Sequence, residues 1–431
     1  MMLDFVNRAA ELRALKAAAD RGGLLVVFGR RRVGKTRLLV HWLRQAGGMY
    51  SQALEAPPEM QVRQVFEDIK AGLSTSLTPR TWDELLEILT LQKRPWSLCL
   101  DEFPYLVATD PTVPSRLQKW VDHSLPRGCL LILAGSSMMM MHDLFLNRTA
   151  PLFGRAQKLL HVQPMDYPAF CDACSLKPED MASFEKFSLV GGIPKYWEFV
   201  QPGQDVIDLA ESLYFDYAPY MEQEPLRILR DEGVTGLNAI SVMEAIGRGA
   251  ERPMEIAQRL GTVQTNLSRL FQQLLDASVL ARDLPWGQSM RTTKKVLYRI
   301  LDPTMRFWFR VYSPHRSLWR TYNREKKLKL IHDHASTAFE DTMRARFPGS
   351  GRYWEKDLEI DMVAIDPEES TGLVVAEVKW RKLGAAERRQ VIGELERKWH
   401  RSSLKPHHPK VRFLVLDATE TLHHYRDPDS P

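Results

Sequence analysis

Eight consecutive residues near the amino end have the types and spacing to hold a chain of phosphates. Gly29-Arg30-Arg31-Arg32-Val33-Gly34-Lys35-Thr36 reads G-x-x-x-x-G-K-T. In that pattern the glycines let backbone N–H groups close around phosphate oxygens, the lysine reaches the β- and γ-phosphates, and the hydroxyl ligates Mg2+. ATP and Mg2+ are therefore the expected cofactors, with Arg30, Arg31, Arg32 and Val33 lining the cradle between the glycines. Asp101-Glu102, at the end of an apolar run, supplies the other parts such a site needs: Asp101 as the Mg2+ partner and Glu102 as the base that orients water. Ser136, at the tip of a further apolar run, is positioned to touch the γ-phosphate or the attacking water. Arg155 is either a finger acting in trans or the partner of a carboxylate.

A second group of chemistry-bearing residues lies near the carboxyl end. Leu358 to Ile365 alternates, which puts Glu359 and Asp361 on one face of a strand and Leu358, Ile360 and Met362 on the other. After the turn-rich Asp366 to Gly372, the run Leu373 to Trp380 carries Glu377 and Lys379 on one face. Pairing of the two strands as a hairpin brings Asp361, Glu377 and Lys379 together, with Glu340 on the amphipathic stretch Ala335 to Phe347 as a third carboxylate. Two carboxylates (Asp361 and Glu377) holding Mg2+ beside a lysine suit phosphodiester hydrolysis. The same constellation is compatible with an inactive fold used only for binding.

Between the two groups, a helix beginning at Pro253 turns at Gly261. The helix that follows has Leu267, Leu270, Phe271, Leu274 and Leu275 on one face. Its other face carries Thr265, Ser268, Arg269 and Gln272, side chains suited to base edges and phosphates in a major groove. Strand-like runs at Ser278 to Ala281 and Val296 to Ile300 flank a wing containing Gly287 and Lys294-Lys295. This pattern resembles a winged helix-turn-helix, a module that contacts DNA or serves as a protein–protein spacer. Arg306, Arg310, Arg316, Arg320, Arg324, Lys326, Lys327 and Lys329 beyond it suggest a phosphate-facing stretch, with Phe307, Trp308, Phe309 and Trp319 packing as core.

The phosphate-binding residues resemble those of the archaeal-type P-loop ATPases in the AAA-like STAND group. Phe5-Val6-Asn7-Arg8 with Glu11 is similar to that family's segment before the first strand, and Gly191-Gly192-Ile193-Pro194 to its GG-x-P signature. The resemblance implies that Arg8 belongs to the nucleotide site, that Pro194 lies against the adenine, and that nucleotide exchange resets the packing of a helical lid. The carboxyl-terminal segment resembles the DUF234 domain that accompanies such ATPases and, through D…E-x-K, the PD-(D/E)xK nucleases. That likeness implies Glu340, Asp361, Glu377 and Lys379 as a catalytic set, with Ile360 where many members have proline.

These sites require a strand–loop–helix opening, which the unbroken run Leu24 to Phe28 before Gly29 provides as a strand buried on both faces of a parallel sheet. The expected fold is α/β and multidomain. It comprises a P-loop ATPase core (1–165), a helical lid (166–232), a winged helix (233–302), a basic connector (303–334) and a nuclease-like α/β domain (335–431). Composition agrees: 431 residues, 44% hydrophobic and 26% charged, bound an ordinary globular chain of about three domains. Net charge is +5, compatible with nucleic acid without demonstrating it. Four cysteines exclude a disulfide framework and suggest a reducing, cytoplasmic setting. No apolar run reaches the eighteen residues of a membrane span, and the first residues lack the pattern of a secretion signal. Expected partners are nucleic acid, DNA first, and further copies of the chain; no membrane is expected. Cys171-Asp172-Ala173-Cys174 lacks the companions of a zinc site. Met138 to Met141 reads as a packed helix start, and the histidine pairs His332/His334, His407/His408 and His423/His424 as solvated. The tail from Arg426 to Pro431 reads as disordered.

Overall fold

Strands form where apolar runs leave no polar face. In the computed structural model β1 (Gly23–Phe28), β2 (Met49–Gln52), β3 (Ser97–Asp101), β4 (Leu130–Gly135) and β5 (Ala156–His161) make a parallel sheet in the order β2-β3-β4-β1-β5. β4 is buried along its whole length, and β1 and β3 nearly so, because helices cover both faces of the sheet. The order places the carboxyl ends of β1, β3 and β4 side by side, and so gathers Gly29, Asp101 and Ser136 at one edge. The structure describes residues 5–423, apart from 348, 370 and 409 and the side chain of 420. Arg426 to Pro431 and His424 lie outside the described residues.

Short helices then run from Tyr167 to Asp231, followed by three helices, Leu237–Gly247, Pro253–Arg259 and Gln264–Asp276. Two antiparallel strands come next, β6 (Leu280–Asp283) and β7 (Leu297–Ile300). The apolar stripe of Gln264–Asp276 buries Leu267, Phe271 and Leu274, and Phe271 stacks on Tyr298 of β7 at 4.3 Å. Thr265, Ser268, Arg269 and Gln272 are exposed. The expected wing is partly docked: the Trp286 N–H donates to the Arg352 carbonyl (2.8 Å) and its indole N–H to the Gly349 carbonyl (3.0 Å). The indole packs against the core of the last sheet, while Lys294 and Lys295 stay exposed.

That sheet has β8 (Gly351–Glu355), β9 (Leu358–Ile365), β10 (Leu373–Lys379) and β11 (Val411–Asp417) in the order β11-β10-β9-β8. β9 pairs antiparallel with β8 and β10, and β11 lies parallel to β10 after the helix Ala385–Arg401. The stretch expected as a basic connector is folded. Phe307, Trp308, Phe309 and Trp319 are buried, and the helix Arg324–Arg346 runs unbroken past residues 334 and 335. Several of its cations meet acids of the same chain: Arg306 pairs with Asp341, Arg324 with Asp205 (2.6 Å) and Lys327 with Glu211 (2.8 Å). Fewer of these cations are free at the surface than the charge run suggests, although Arg316, Arg320 and Lys329 remain exposed.

His334 also departs from expectation. It is fully buried rather than solvated, because it sits on the face that carries Ile331, Ala335 and Ala338 into the core. Its ring nitrogen Nε2 bonds the Ser188 carbonyl at 2.9 Å. Phe184, Phe339 and Trp380 meet with ring centres 5.0–5.3 Å apart and join the helix Met181–Val190, the long helix and the end of β10 in one core. No helix among the described residues is long and apolar enough to cross a membrane.

Candidate functional site

At the edge of the first sheet, Gly29 has φ +157°, and a Cβ there would lie 2.4 Å from the Val162 carbonyl oxygen, so only glycine fits. Lys35 begins the helix Lys35–Ala46 and is almost entirely buried. Its Nζ donates to the carbonyls of Gly29 (2.8 Å) and Arg30 (3.0 Å). Burial lowers its pKa to about 8 against the pull of Glu102 and Asp101. The Thr36 hydroxyl donates to Asp101 Oδ2 at 2.6 Å, and the Tyr50 hydroxyl donates to the same oxygen at 2.9 Å. The Ser136 hydroxyl donates to Glu102 Oε1 at 2.7 Å. Lys35, Thr36, Asp101, Glu102 and Ser136 thus converge as their spacing predicts. A hydroxyl and a carboxylate in contact at the start of a helix are the hard oxygen donors that suit Mg2+ beside a triphosphate.

The three arginines of the loop are engaged by acids far along the chain. Arg30 pairs with Asp302 at 2.5 Å, both side chains buried; Arg31 pairs with Asp231, and Arg32 with Glu224 at 3.1 Å. Glu232 caps the helix Met138–Phe145, accepting from the N–H groups of Met138 (3.0 Å) and Met139 (3.1 Å). Asp231 and Glu232 close, with Glu102 and Ser136, a cleft of about 170 Å3. None of these four acids has a sequence signature; each was missed. Arg8 links the segment before the first helix to the cradle by donating to the carbonyls of Val33 (2.7 Å) and Gln163 (2.8 Å). Val33 itself is buried. Gly192 is held so close to Met165 that a Cβ would lie 2.1 Å from its carbonyl oxygen, and Pro194 is half-buried at the start of the next helix turn. Of the two roles open to Arg155, the structure shows the carboxylate pair: its guanidinium holds Asp122 at 2.9–3.0 Å.

At the second sheet Asp361 and Glu377 come together beyond the last paired residues of β9 and β10. Asp361 Oδ2 accepts from the Val378 N–H (2.9 Å) and lies 3.9 Å from Lys379 Nζ, which donates to Glu377 Oε1 at 2.8 Å. Lys398, from the helix Ala385–Arg401, donates to both Glu377 oxygens at 3.0–3.2 Å. Sequence spacing gave no hint of it. Burial, then the neighbouring Glu377, raises the Asp361 pKa. Burial, then Asp361, lifts Glu340 to about 7. Glu340 lies within electrostatic reach of Asp361 and faces Arg344 at 3.9 Å, and among the described residues no three His, Cys, Asp or Glu gather tightly enough to hold a metal unaided. Asp361 and Glu377 fit Mg2+, which takes one or two carboxylates and completes its shell with water and substrate phosphate.

Residues 5–200 match the family model of an ATPase domain found predominantly in Archaea. Residues 5–200 belong to the archaeal-type ATPases. Residues 308–391 match a family of archaeal and bacterial proteins of unknown function. An uncharacterized protein of Methanocaldococcus jannaschii is 26% identical over 413 residues, 91% of each chain. The Walker-type ATPase of Pyrococcus abyssi shares the fold, with a TM-score of 0.55 at 19% identity over 72% of this chain and 97% of that one.

Proposed function

We propose that this archaeal-type ATPase binds and hydrolyses ATP, binds nucleic acid, DNA first, through a winged helix, and cuts it at the carboxyl-terminal carboxylates under nucleotide control. The gathering of Asp361 and Glu377 around Lys379 carries the nuclease half of this reading. In the ATP site Lys35 takes the β- and γ-phosphates, Glu102 orients water with Ser136 beside it, and Thr36 and Asp101 hold Mg2+. In the second site Asp361 and Glu377 hold Mg2+, and Lys379 stabilises charge developing on the phosphate. When bound, Mg2+ supplies Lewis acidity toward phosphate oxygens in both. The exposed Thr265, Ser268, Arg269 and Gln272 form the DNA-facing side of the third winged-helix helix.

The test incubates plasmid and single-stranded DNA with Mg2+ or Mn2+, comparing wild type with Asp361→Asn and Glu377→Gln, and measures ATP turnover in wild type and Lys35→Ala. Cleavage lost in both carboxylate variants, with turnover lost on Lys35→Ala, is the expected result. Cleavage absent or equal in all three proteins would leave a non-cleaving nucleotide switch. Undiminished turnover in Lys35→Ala would remove the phosphate assignment.

A further inference from the structure

A cleft of about 570 Å3 lies where the helix Arg324–Arg346, β7, β8 and the end of the helix Leu237–Gly247 meet, and six arginines line it against three carboxylates. The charge is poorly balanced inside. Asp341 is shared by Arg299, Arg306 and Arg344, of which Arg299 also meets Asp283 and Arg344 also meets Glu340, while Arg306 has Asp341 as its carboxylate. Arg306 is 6% exposed, and its Nη1 is buried without a hydrogen-bond partner. Arg310 donates to the Thr337 hydroxyl at 2.8 Å and has no carboxylate within ion-pair distance among the described residues. Burial, then the charge of Arg306, depresses its pKa, as expected of a guanidinium short of counter-charge. An orphaned buried N–H and an unneutralised guanidinium are costly unless an anion completes them. Planar arginine forks match phosphate oxygens.

The cleft also opens toward the candidate nuclease site. Glu340 lines it and lies within electrostatic reach of Asp361, and Arg344 donates to the Asp361 carbonyl at 3.3 Å. We propose that this cleft binds the phosphodiester backbone of one nucleic-acid strand and leads it from the winged helix to Asp361 and Glu377. The inference rests on the nucleic-acid reading above and deepens it by naming the substrate's form. A space of this volume takes a drug-sized group, such as a strand end or a splayed nucleotide, and excludes a duplex.

The experiment uses the full chain without divalent metal and a fluorescein-labelled oligothymidylate of about twenty nucleotides, the length being set by typical single-strand site sizes. Anisotropy is followed from low to moderate salt for wild type, Arg310→Gln, Arg248→Gln and, as comparison, Arg269→Gln. Arg248 is exposed on the rim of the cleft, so its variant keeps the test open if Arg310→Gln folds poorly. Each cleft variant is expected to weaken binding about tenfold and to flatten the salt slope by about 0.7, the value for one lost single-strand phosphate contact. Wild-type affinity and slope in both cleft variants, with binding weakened by Arg269→Gln, would overturn the cleft and leave nucleic-acid binding standing. No binding by the wild-type chain would remove the nucleic-acid reading itself, and the cleft with it.

Discussion

Asp302→Asn tests whether the loop 29–36 is tied to the two-stranded ribbon of β6 and β7. Asp302 follows β7 and is buried against Arg30 of the loop, with side-chain exposures of 2% and 9%. It accepts from Arg30 at 2.5 Å, from the Met305 N–H at 2.9 Å and from the Thr304 hydroxyl. Burial alone would push this carboxyl up, yet Arg30 and these hydrogen bonds hold it below the usual carboxylate range. Asparagine keeps acceptors for the helix start and removes only the charge, which leaves the Arg30 guanidinium uncompensated. Breaking a buried pair in this way costs about 3–5 kcal/mol, and the retained acceptors put Asp302→Asn near the lower end. Asp302→Ala should cost about 1 kcal/mol more through the lost helix cap. The assay is urea unfolding followed by tryptophan fluorescence, reading the first transition, on Asp302→Asn, Arg30→Met and the pair. Replacing both partners removes the stranded charge, so the double variant should be more stable than the sum of the singles by about 2 kcal/mol or more. Strict additivity, or a cost for Asp302→Asn within experimental error, would refute the tie.

Glu232→Ala removes the acceptor shared by the Met138 and Met139 N–H groups and should lower stability by about 1–2 kcal/mol, with faster proteolysis at the loop that follows Glu232; an unchanged unfolding midpoint would show that the cap does not hold the helix Glu224–Asp231 to the first sheet's helices. His334 is buried and neutral, its pKa lowered to about 3 by burial and then by Arg306. The unfolded value is about 6.5, so as pH falls the unfolded chain takes up the proton first. Stability should therefore decline by about 1.4 kcal/mol per pH unit from about pH 6.5 toward pH 3, or about 2 kcal/mol by pH 5. His334→Gln keeps a donor for the Ser188 carbonyl, and its stability curve should lack that slope; an identical slope in the variant would contradict the assignment.

Much of both sites was legible because the relevant residues are local to apolar runs. Leu24–Phe28, Ser97–Leu100 and Leu130–Ala134 each read as a buried strand, and each ends in the residue that matters, Gly29, Asp101 or Ser136. Alternation in β9 likewise pointed to Asp361, and the two-residue spacing of Glu377 and Lys379 in the apolar run of β10 put them on one face. Lys398 was invisible because it reaches Glu377 from a charged helix 21 residues farther along, where one lysine looks like any other. The roles of Glu224, Asp231, Glu232 and Asp302 left no trace for a related reason: a carboxylate whose partner, an arginine or a helix start, lies 94 to 272 residues away leaves no local pattern. His334 was misread because neighbouring charges outweighed periodicity. Ile331, Ala335, Ala338 and Phe339 follow a helical spacing, and the position three after Ile331 faces inward with them.

The aromatic junction of Phe184, Phe339 and Trp380 has a consequence for how an event at the amino end could be felt at the far end. Hydrocarbon packed at this density resists sliding, so the pieces it joins travel together like parts of one casting. The loop's attachments, by contrast, are charged: Arg30 is buried against Asp302, while Arg31 with Asp231 and Arg32 with Glu224 are the pairs more open to solvent, where a polyphosphate could replace the acid. Adaptation to an incoming triphosphate would therefore proceed by swapping counter-ions at the loop while the greasy seam stays shut.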